Sequence, residues 1–149
     1  MGVITSLAQH IKITSALDYA SGTATREGAI IDMLGYRGII MVVHLAAIAG
    51  SAVVGFKAQQ DTVVGFTGAA DLLGSNQVPA DNDDNQLMGL EIWEPTERFL
   101  RLVITKDGAY ACAESAVYYQ YGAINRPTTL AVANLVTFKR LQSPAEGTA

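Results

Sequence analysis

An acidic loop is the first place in this chain where residue types and spacing suggest chemistry. Asp81, Asp83 and Asn85 fall at the first three ligand positions of a calcium-binding loop. The pattern stops there, because Gln86 stands where the sharp turn needs glycine and Ile92 where a bidentate glutamate belongs. The spacing therefore favours a solvated acidic loop over a calcium site.

Histidine, cysteine and glycine patterns give no catalytic or metal-binding arrangement. His10 and His44 are the only histidines, and they are separated in the sequence with no HxH or HExxH spacing. Cys112 is the only cysteine and is flanked by alanines, which predicts a small packed side chain and excludes a disulfide within the chain. No GxSxG elbow, P-loop or dinucleotide fingerprint is present. We therefore expect no enzyme activity, no metal and no cofactor.

Composition points to a protein that works by burying surface. Hydrophobic residues make up 50% of the 149 residues and charged residues only 16%, against a usual charged share of about 25%. A chain so poor in charge is expected to cover part of its surface with partners. The net charge of −4 and the scattered lysines and arginines argue against nucleic-acid binding, which needs a clustered basic face. The single cysteine indicates a reducing compartment.

The stretch around which the chain is organised is residues 38–56, which contain no charged side chain. Its length would suit a membrane span, which needs roughly 17–25 apolar residues. Its many β-branched residues and its glycines favour strands instead. We predict two paired strands, residues 39–47 and 52–59, joined by a hairpin turn at Gly50-Ser51, and no membrane association. We expect this strand pair to be a scaffold that makes no functional contact of its own.

Further strands follow from alternating patterns. In residues 86–93 and 98–105 the inward-facing positions are predicted to be Met88, Leu90 and Ile92, and then Leu100, Leu102 and Ile104. Lys106-Asp107-Gly108 is the strongest hairpin signal. Strands are predicted at residues 109–121, within which residues 111–116 also suit a helix, and at residues 130–138. Short strands separated by turns indicate an all-β, antiparallel sandwich.

The N-terminal part is less regular. A short strand is predicted near residues 11–17, followed by a loop at residues 18–23. We divide the chain into an N-terminal arm or first strand (residues 1–28), a β-sandwich domain (29–142) and a flexible tail (143–149). Asp32 lies among apolar residues and needs a partner if it is buried. Arg37 is the nearest downstream cation.

Several short runs follow one another in an order that resembles a known group of proteins. They are IDMLGY at 31–36, KAQQD at 57–61, FTGAADLLGS at 66–75, RFLRLV at 98–103 and YGA before Arg126-Pro127. With this order and spacing, residues 30–127 resemble the small structural proteins of tailed-phage heads. Among these the chain is most similar to capsid cement (decoration) proteins, such as that of a Bordetella podophage.

The resemblance implies a jelly-roll-like β-sandwich that is assembled in the host cytoplasm and sits on the outer capsid of the virion. It implies binding to the major capsid protein, stabilisation of the contacts between its subunits, and self-association as a homodimer. As hypotheses, we place interface contacts in the N-terminal arm, in the acidic loop, on two arginines suited to pairing and near the C-terminal turn. The individual residues are Asp81, Asp83, Asp84, Arg98, Arg101, Tyr118, Tyr119 and Arg126.

Two other functions stay open at this point. A head-completion or tail component would share the structural class. A carbohydrate-binding sandwich would use Trp93, Tyr118, Tyr119 and Tyr121 as a sugar-binding face, with the acidic loop beside it.

Overall fold

The computed structural model describes residues 6–50 and 52–125, together with Leu135 and Phe138. In this part of the chain the regular structure is one short 3-10 turn (Leu7–Gln9) followed by nine β-strands. The strands are β1 (Lys12–Gly22), β2 (Arg26–Glu27), β3 (Ile31–Asp32), β4 (Gly38–Ile48), β5 (Val54–Asp61), β6 (Ala70–Asp71), β7 (Leu87–Trp93), β8 (Phe99–Lys106) and β9 (Cys112–Tyr121).

The strands form two antiparallel sheets. Sheet A has the order β1-β9-β4-β7, and sheet B has the order β2-β8-β5-β6, with β3 also pairing with β8. Because β2 and β3 lie one after the other along β8, they act as one interrupted strand. Each sheet then has four strands, in the order of a jelly roll built from two Greek keys. The predicted antiparallel, jelly-roll-like sandwich is confirmed.

The apolar stretch 38–56 contains two strands, as predicted, but they do not pair with each other. Strand β4 pairs with β7 and β9 in sheet A, whereas β5 pairs with β6 and β8 in sheet B. The predicted hairpin is therefore wrong, and so is the one at Lys106-Asp107-Gly108, since β8 and β9 also belong to different sheets. Turn residues show that the chain reverses, but they do not show which strands then pair. Within the described residues, no helix is long and apolar enough to cross a membrane.

The core lies between the two sheets and is built from alternate residues of the long strands. From sheet A it includes Ile39, Met41, Val43 and Leu45, and from sheet B Phe56, Leu100, Leu102 and Ile104, all essentially inaccessible to solvent. The predicted inner face of β8 is thus confirmed. The predicted inner face of β7 is confirmed as well, since Met88, Leu90 and Ile92 pack against the same core.

The first strand is longer than the sequence suggested. β1 runs from Lys12 to Gly22 along β9, so residues 18–22 are strand and not loop. Two irregularities in register, between Ser15 and Leu17 and between Leu17 and Ala20, interrupt the alternation that sequence patterns rely on. The strand predicted at residues 130–138 lies outside the described residues except for Leu135 and Phe138, and the tail at 143–149 lies wholly outside them.

A buried ionic cluster ties the two sheets together at one end. The side chains of Lys106 on β8 and Glu114 on β9 are both fully buried, with 2.8 Å between Nζ and the nearer carboxylate oxygen. Arg26 on β2 donates to the other oxygen of Glu114 at 3.0 Å. Lys106 Nζ also donates to the carbonyls of Gly22 and Cys112. These contacts pair the buried charges, which would otherwise be costly.

Candidate interaction surface

The outer face of sheet A carries mostly apolar side chains, arranged in regular rows. The strand registers place the outward-facing residues in rows that run across the sheet. From one end to the other, the rows are Trp93, Gly38 and Tyr121; Glu91, Ile40, Tyr119 and Ile13; Gly89, Val42, Val117 and Ser15; and Leu87, His44 and Ser115. We call this set the outer A face.

The outer A face is partly exposed although it is mostly apolar. Ile40 is 38% exposed, Trp93 55% and Leu87 68%, and they come from two neighbouring strands. Within the rows, Glu91 is the only acidic residue, and no lysine or arginine is present. An apolar, charge-poor patch of this kind marks an interaction site in soluble proteins.

Three aromatic and acidic groups are packed together at the Gly38 end of this face. The rings of Trp93 and Tyr121 stack with centroids 5.9 Å apart and planes at 23°, and the Tyr121 hydroxyl donates a hydrogen bond to the Glu91 carboxylate. Gly38 lies beneath the Tyr121 ring, and a Cβ at this position would overlap it. Burial, together with the Glu91 hydrogen bond, raises the pKa of Tyr121 to about 12.

An open cleft adjoins this aromatic cluster at the end of the sandwich. It has a volume of about 700 Å³ and is lined by Arg37, Trp93, Tyr121, Gly122, Ala123 and Ile124. The Arg37 side chain is 63% exposed and lies 3.9 Å from a carboxylate oxygen of Glu94. Ile124 is also strongly exposed. Tryptophan, tyrosine and arginine are the residue types that dominate binding energy at protein interfaces.

The outer face of sheet B is polar and its groups are already paired. Arg101 Nη1 lies 2.6 Å from Glu27, and its Nε donates to Gln59 at 3.0 Å. Asp71 accepts hydrogen bonds from Lys57 and Gln59, and the Lys57 contact is the main cause of the lowered pKa of Asp71. The two faces of the sandwich therefore differ sharply, and sheet A presents the surface suited to a partner.

The structure separates the residues that the sequence assigned to an interface. Tyr119 lies half-buried on the outer A face. Tyr118 is completely buried, and its hydroxyl accepts a hydrogen bond from the Leu102 amide at 2.8 Å. Tyr118 is thus a core residue and not the surface residue that the sequence suggested, because strand alternation turns neighbouring tyrosines to opposite sides. Arg126 lies outside the described residues.

Arg98 and Arg101, the two arginines predicted at an interface, have different partners in the structure. Arg98 donates two hydrogen bonds to Asp32, at 2.9 and 2.7 Å, and this contact holds the pKa of Asp32 below its usual range. Arg98, and not Arg37, is therefore the partner of Asp32, because β3 pairs with the start of β8. Arg101 lies on sheet B with its guanidinium 4.6 Å from the centre of the Phe66 ring.

The acidic loop is fastened to the far end of β4. Asp84 accepts a hydrogen bond from the Ile48 amide at 2.7 Å, and Asp83 accepts one from the Ala80 amide at 2.8 Å. Asp81 lies in the same loop. Among the residues that the structure describes, no three His, Cys, Asp or Glu side chains are close enough to hold a metal ion. The loop and Arg98 lie at opposite ends of β4, so they do not form one site.

The comparisons with known proteins identify the fold. No family model matches the chain, and no curated protein matches its sequence. The crystal structure of the PBSX exported protein XepA is similar, with a TM-score of 0.54 and 10% identity over 95% of this chain and 47% of XepA. The chain thus spans about half the length of that protein. At this identity the similarity establishes a shared fold alone.

Two other similarities are weaker. A protein of the disulfide-linked pili of Bacillus endospore appendages has a TM-score of 0.41 and 13% identity, covering 81% of this chain and 97% of that one. A protein of infectious bursal disease virus, Gt strain, has a TM-score of 0.42 and 14% identity, covering 78% and 33%. TM-scores this low do not establish a common fold.

Sequence reasoning missed the outer A face itself. Strand β4 was expected to be pure scaffold, yet it contributes Ile40 and Val42 to that face. The signal was present: β4 is apolar at both alternating sets of positions, whereas a strand with one solvated face normally alternates. Trp93 and Leu87 lie on the predicted outer face of β7, where they are also apolar residues at positions expected to face solvent.

Proposed function

We propose that this chain is a structural protein of a tailed-phage head: a cement or decoration protein that binds the outside of the capsid and stabilises contacts between major capsid protein subunits. The observation that carries the proposal is the outer A face, a partly exposed and almost charge-free surface on one side of the jelly roll. The sequence resemblance to phage head proteins supports the same conclusion. On this proposal the protein is located on the virion exterior and acts without catalysis.

The physical basis is burial of apolar area against the shell. Apolar surface removed from water stabilises an interface by about 25 cal/mol per Å², but association and side-chain ordering consume much of that gain. A face with few charges has little desolvation cost, so it is well suited to docking. Many copies, each bridging neighbouring subunits, would then add modest individual contributions into a large resistance to shell opening.

A capsid-binding assay with two matched variants tests the proposal. Leu87→Glu places a charge on the outer A face, and Val64→Glu places one on a loop of similar exposure, 62% against 68%. We expect wild type and Val64→Glu to co-sediment with expanded capsids of the parent phage and to raise their rupture temperature. Leu87→Glu should bind at least tenfold more weakly. Absence of wild-type binding at micromolar concentration, or equal binding by both variants, would refute the proposal.

A head-completion or tail role predicts the same binding chemistry but a different stoichiometry. A cement protein covers the shell, so its copy number should scale with that of the major capsid protein. A connector protein occupies one vertex. Quantitative mass spectrometry of purified virions, or a cryo-EM map, separates the two.

A carbohydrate-binding function is favoured by one observation, the stacked Trp93 and Tyr121 rings beside the exposed Arg37 and Glu94. Aromatic platforms flanked by polar groups suit sugar rings. Trp93 is the only tryptophan, so a change in its fluorescence on titration with mono- and oligosaccharides would reveal binding directly. An unchanged spectrum across a glycan panel would exclude this function.

A further inference from the structure

The exposed edge of β7 differs from the other sheet edges. At the edges of sheet B, β2, β3 and β6 have two residues each. At the other edge of sheet A, the register of β1 is interrupted twice. Short strands and bulges are the devices by which proteins block unwanted edge pairing. β7 has seven residues with unbroken register against β4 and contains no lysine, arginine or proline.

The direction of the β7 backbone groups can be read from two hydrogen bonds. The Gln86 carbonyl accepts from the Leu45 amide at 2.9 Å, so this carbonyl points toward β4. The Gly89 carbonyl accepts from the Gln77 side chain at 3.0 Å, so it points away from β4. Because successive residues alternate, Leu87, Gly89, Glu91 and Trp93 direct their backbone N–H and C=O groups to the open edge. Among the described residues no strand pairs with this edge.

We propose that β7 pairs antiparallel with β7 of a second copy of this chain, so that two copies of sheet A form one continuous eight-stranded sheet. This inference does not depend on capsid binding. It follows from the edge geometry together with the self-complementarity of the strand.

The register with Leu90 opposite its own copy is the one that uses all four outward residues. It sets Leu87 opposite Trp93 of the second copy and Gly89 opposite Glu91. Each of these pairs can exchange two backbone hydrogen bonds. On the outer face, the Leu87 side chain then packs against the Trp93 ring of the second copy, which is a favourable cross-strand pair. A shift of two residues in one direction would place the two Glu91 carboxylates against each other, which is unfavourable.

The core-facing residues fit the same register. Met88 is opposite Ile92 of the second copy, and Leu90 meets itself, so all core-facing pairs are apolar. The pairing would also double the width of the outer A face. The Gln77 side-chain amide donates a hydrogen bond to the Gly89 carbonyl. On dimerisation it must release this carbonyl or share it with the second copy. It therefore acts as a weak cap on the free edge.

Disulfide trapping tests the register. In a non-hydrogen-bonded antiparallel pair the Cα atoms are about 4.5 Å apart, within the range that a disulfide bridges. Leu90→Cys should form a covalent dimer when oxidised with diamide. Met88→Cys is the matched control on the same side of β7: its two copies would lie about 14 Å apart and should not cross-link. The native Cys112 is buried and gives no background.

A proline substitution tests the edge hydrogen bonds without a cysteine. The Glu91 N–H points to the edge, and proline is tolerated where an edge N–H faces outward. We expect Glu91→Pro to sediment as a monomer, Glu91→Ala to retain the wild-type dimer, and Gln77→Ala to dimerise more tightly. Circular dichroism confirms that the variants fold. A wild type that stays monomeric at millimolar concentration, equal cross-linking of the two cysteine variants, or a Glu91→Pro dimer would overturn the proposal.

Discussion

The hydroxyl of Tyr118 on β9 accepts a hydrogen bond from the backbone amide of Leu102 on β8, 2.8 Å away, and so joins the two sheets through the middle of the core. The contact is possible because the strand beside β8 is interrupted between β2 and β3. Gly28 lies in this gap, and a Cβ there would stand only 2.6 Å from the tyrosine hydroxyl. Burial raises the pKa of Tyr118 well above its usual range, so the group stays protonated.

Removing this hydroxyl should destabilise the fold. Tyr118→Phe leaves the buried Leu102 N–H without its acceptor, and an unsatisfied buried donor costs about 1–3 kcal/mol. Chemical denaturation followed by fluorescence measures the loss in the free energy of unfolding. Tyr119→Phe, one residue along on the outer A face, is the control and should change it by less than about 0.5 kcal/mol. If Tyr118→Phe lowers the free energy of unfolding no more than Tyr119→Phe does, the hydrogen bond does not stabilise the fold.

The buried Lys106–Glu114 pair should behave as a unit. Glu114→Gln strands a buried ammonium group, and breaking a buried pair from one side costs about 3–5 kcal/mol. The double variant Glu114→Gln/Lys106→Met removes the stranded charge as well and should be more stable than Glu114→Gln alone. Urea denaturation of the two single variants and the double variant gives the coupling energy. Strictly additive losses would contradict the coupling.

Cys112 should be inert in the native protein and should weaken the fold at high pH. Burial raises the pKa of its thiol to about 11, above the ordinary value of about 8.5 that applies when the chain unfolds. Between these values the unfolded chain loses a proton that the native one keeps, so the free energy of unfolding falls as pH rises. We expect a shallower decline for Cys112→Ala than for wild type, measured by urea denaturation from pH 8 to pH 11.

Thiol labelling provides an independent check on Cys112. Ellman's reagent should react with the native protein at the rate of unfolding, and with the denatured protein immediately. Rapid labelling of native protein at pH 8 would show that the thiol is accessible and would remove the basis for the pH prediction.

The sequence was sufficient to predict the class of fold because strand alternation is a local property. The inner faces of β7 and β8 could be assigned from Met88, Leu90 and Ile92 and from Leu100, Leu102 and Ile104. Strand pairing could not be assigned in this way. Gly50 and Gly108 mark reversals, but in a jelly roll each of these reversals carries the chain from one sheet to the other. That choice depends on packing between distant strands.

The candidate surface was predicted poorly for a related reason. Polar and aromatic residues were chosen by type, and the structure placed Tyr118 in the core and Arg101 on the opposite sheet. The outer A face emerges only when β1, β9, β4 and β7 are set side by side, because Ile40, Tyr119 and Ile13 are far apart in the chain and adjacent in the sheet. Register between distant strands cannot be read from any one of them.

The aromatic cluster at the end of the outer A face should depend on the missing side chain of Gly38. Gly38→Ala places a methyl group where the Tyr121 ring now lies, so the ring must move away from Trp93 and Glu91. The pKa of Tyr121 should then fall from about 12 toward the ordinary tyrosine value of about 10. Because Trp93 is the only tryptophan, loss of its stacking partner should shift its emission to longer wavelength.

Gly89→Ala is the matched control, because nothing lies within 4 Å of an added Cβ there. Absorbance titration of the tyrosines and tryptophan emission spectra measure both effects. If Gly38→Ala leaves both unchanged while Tyr121→Phe alters the tryptophan emission, the cluster tolerates the methyl group and is not set by the glycine.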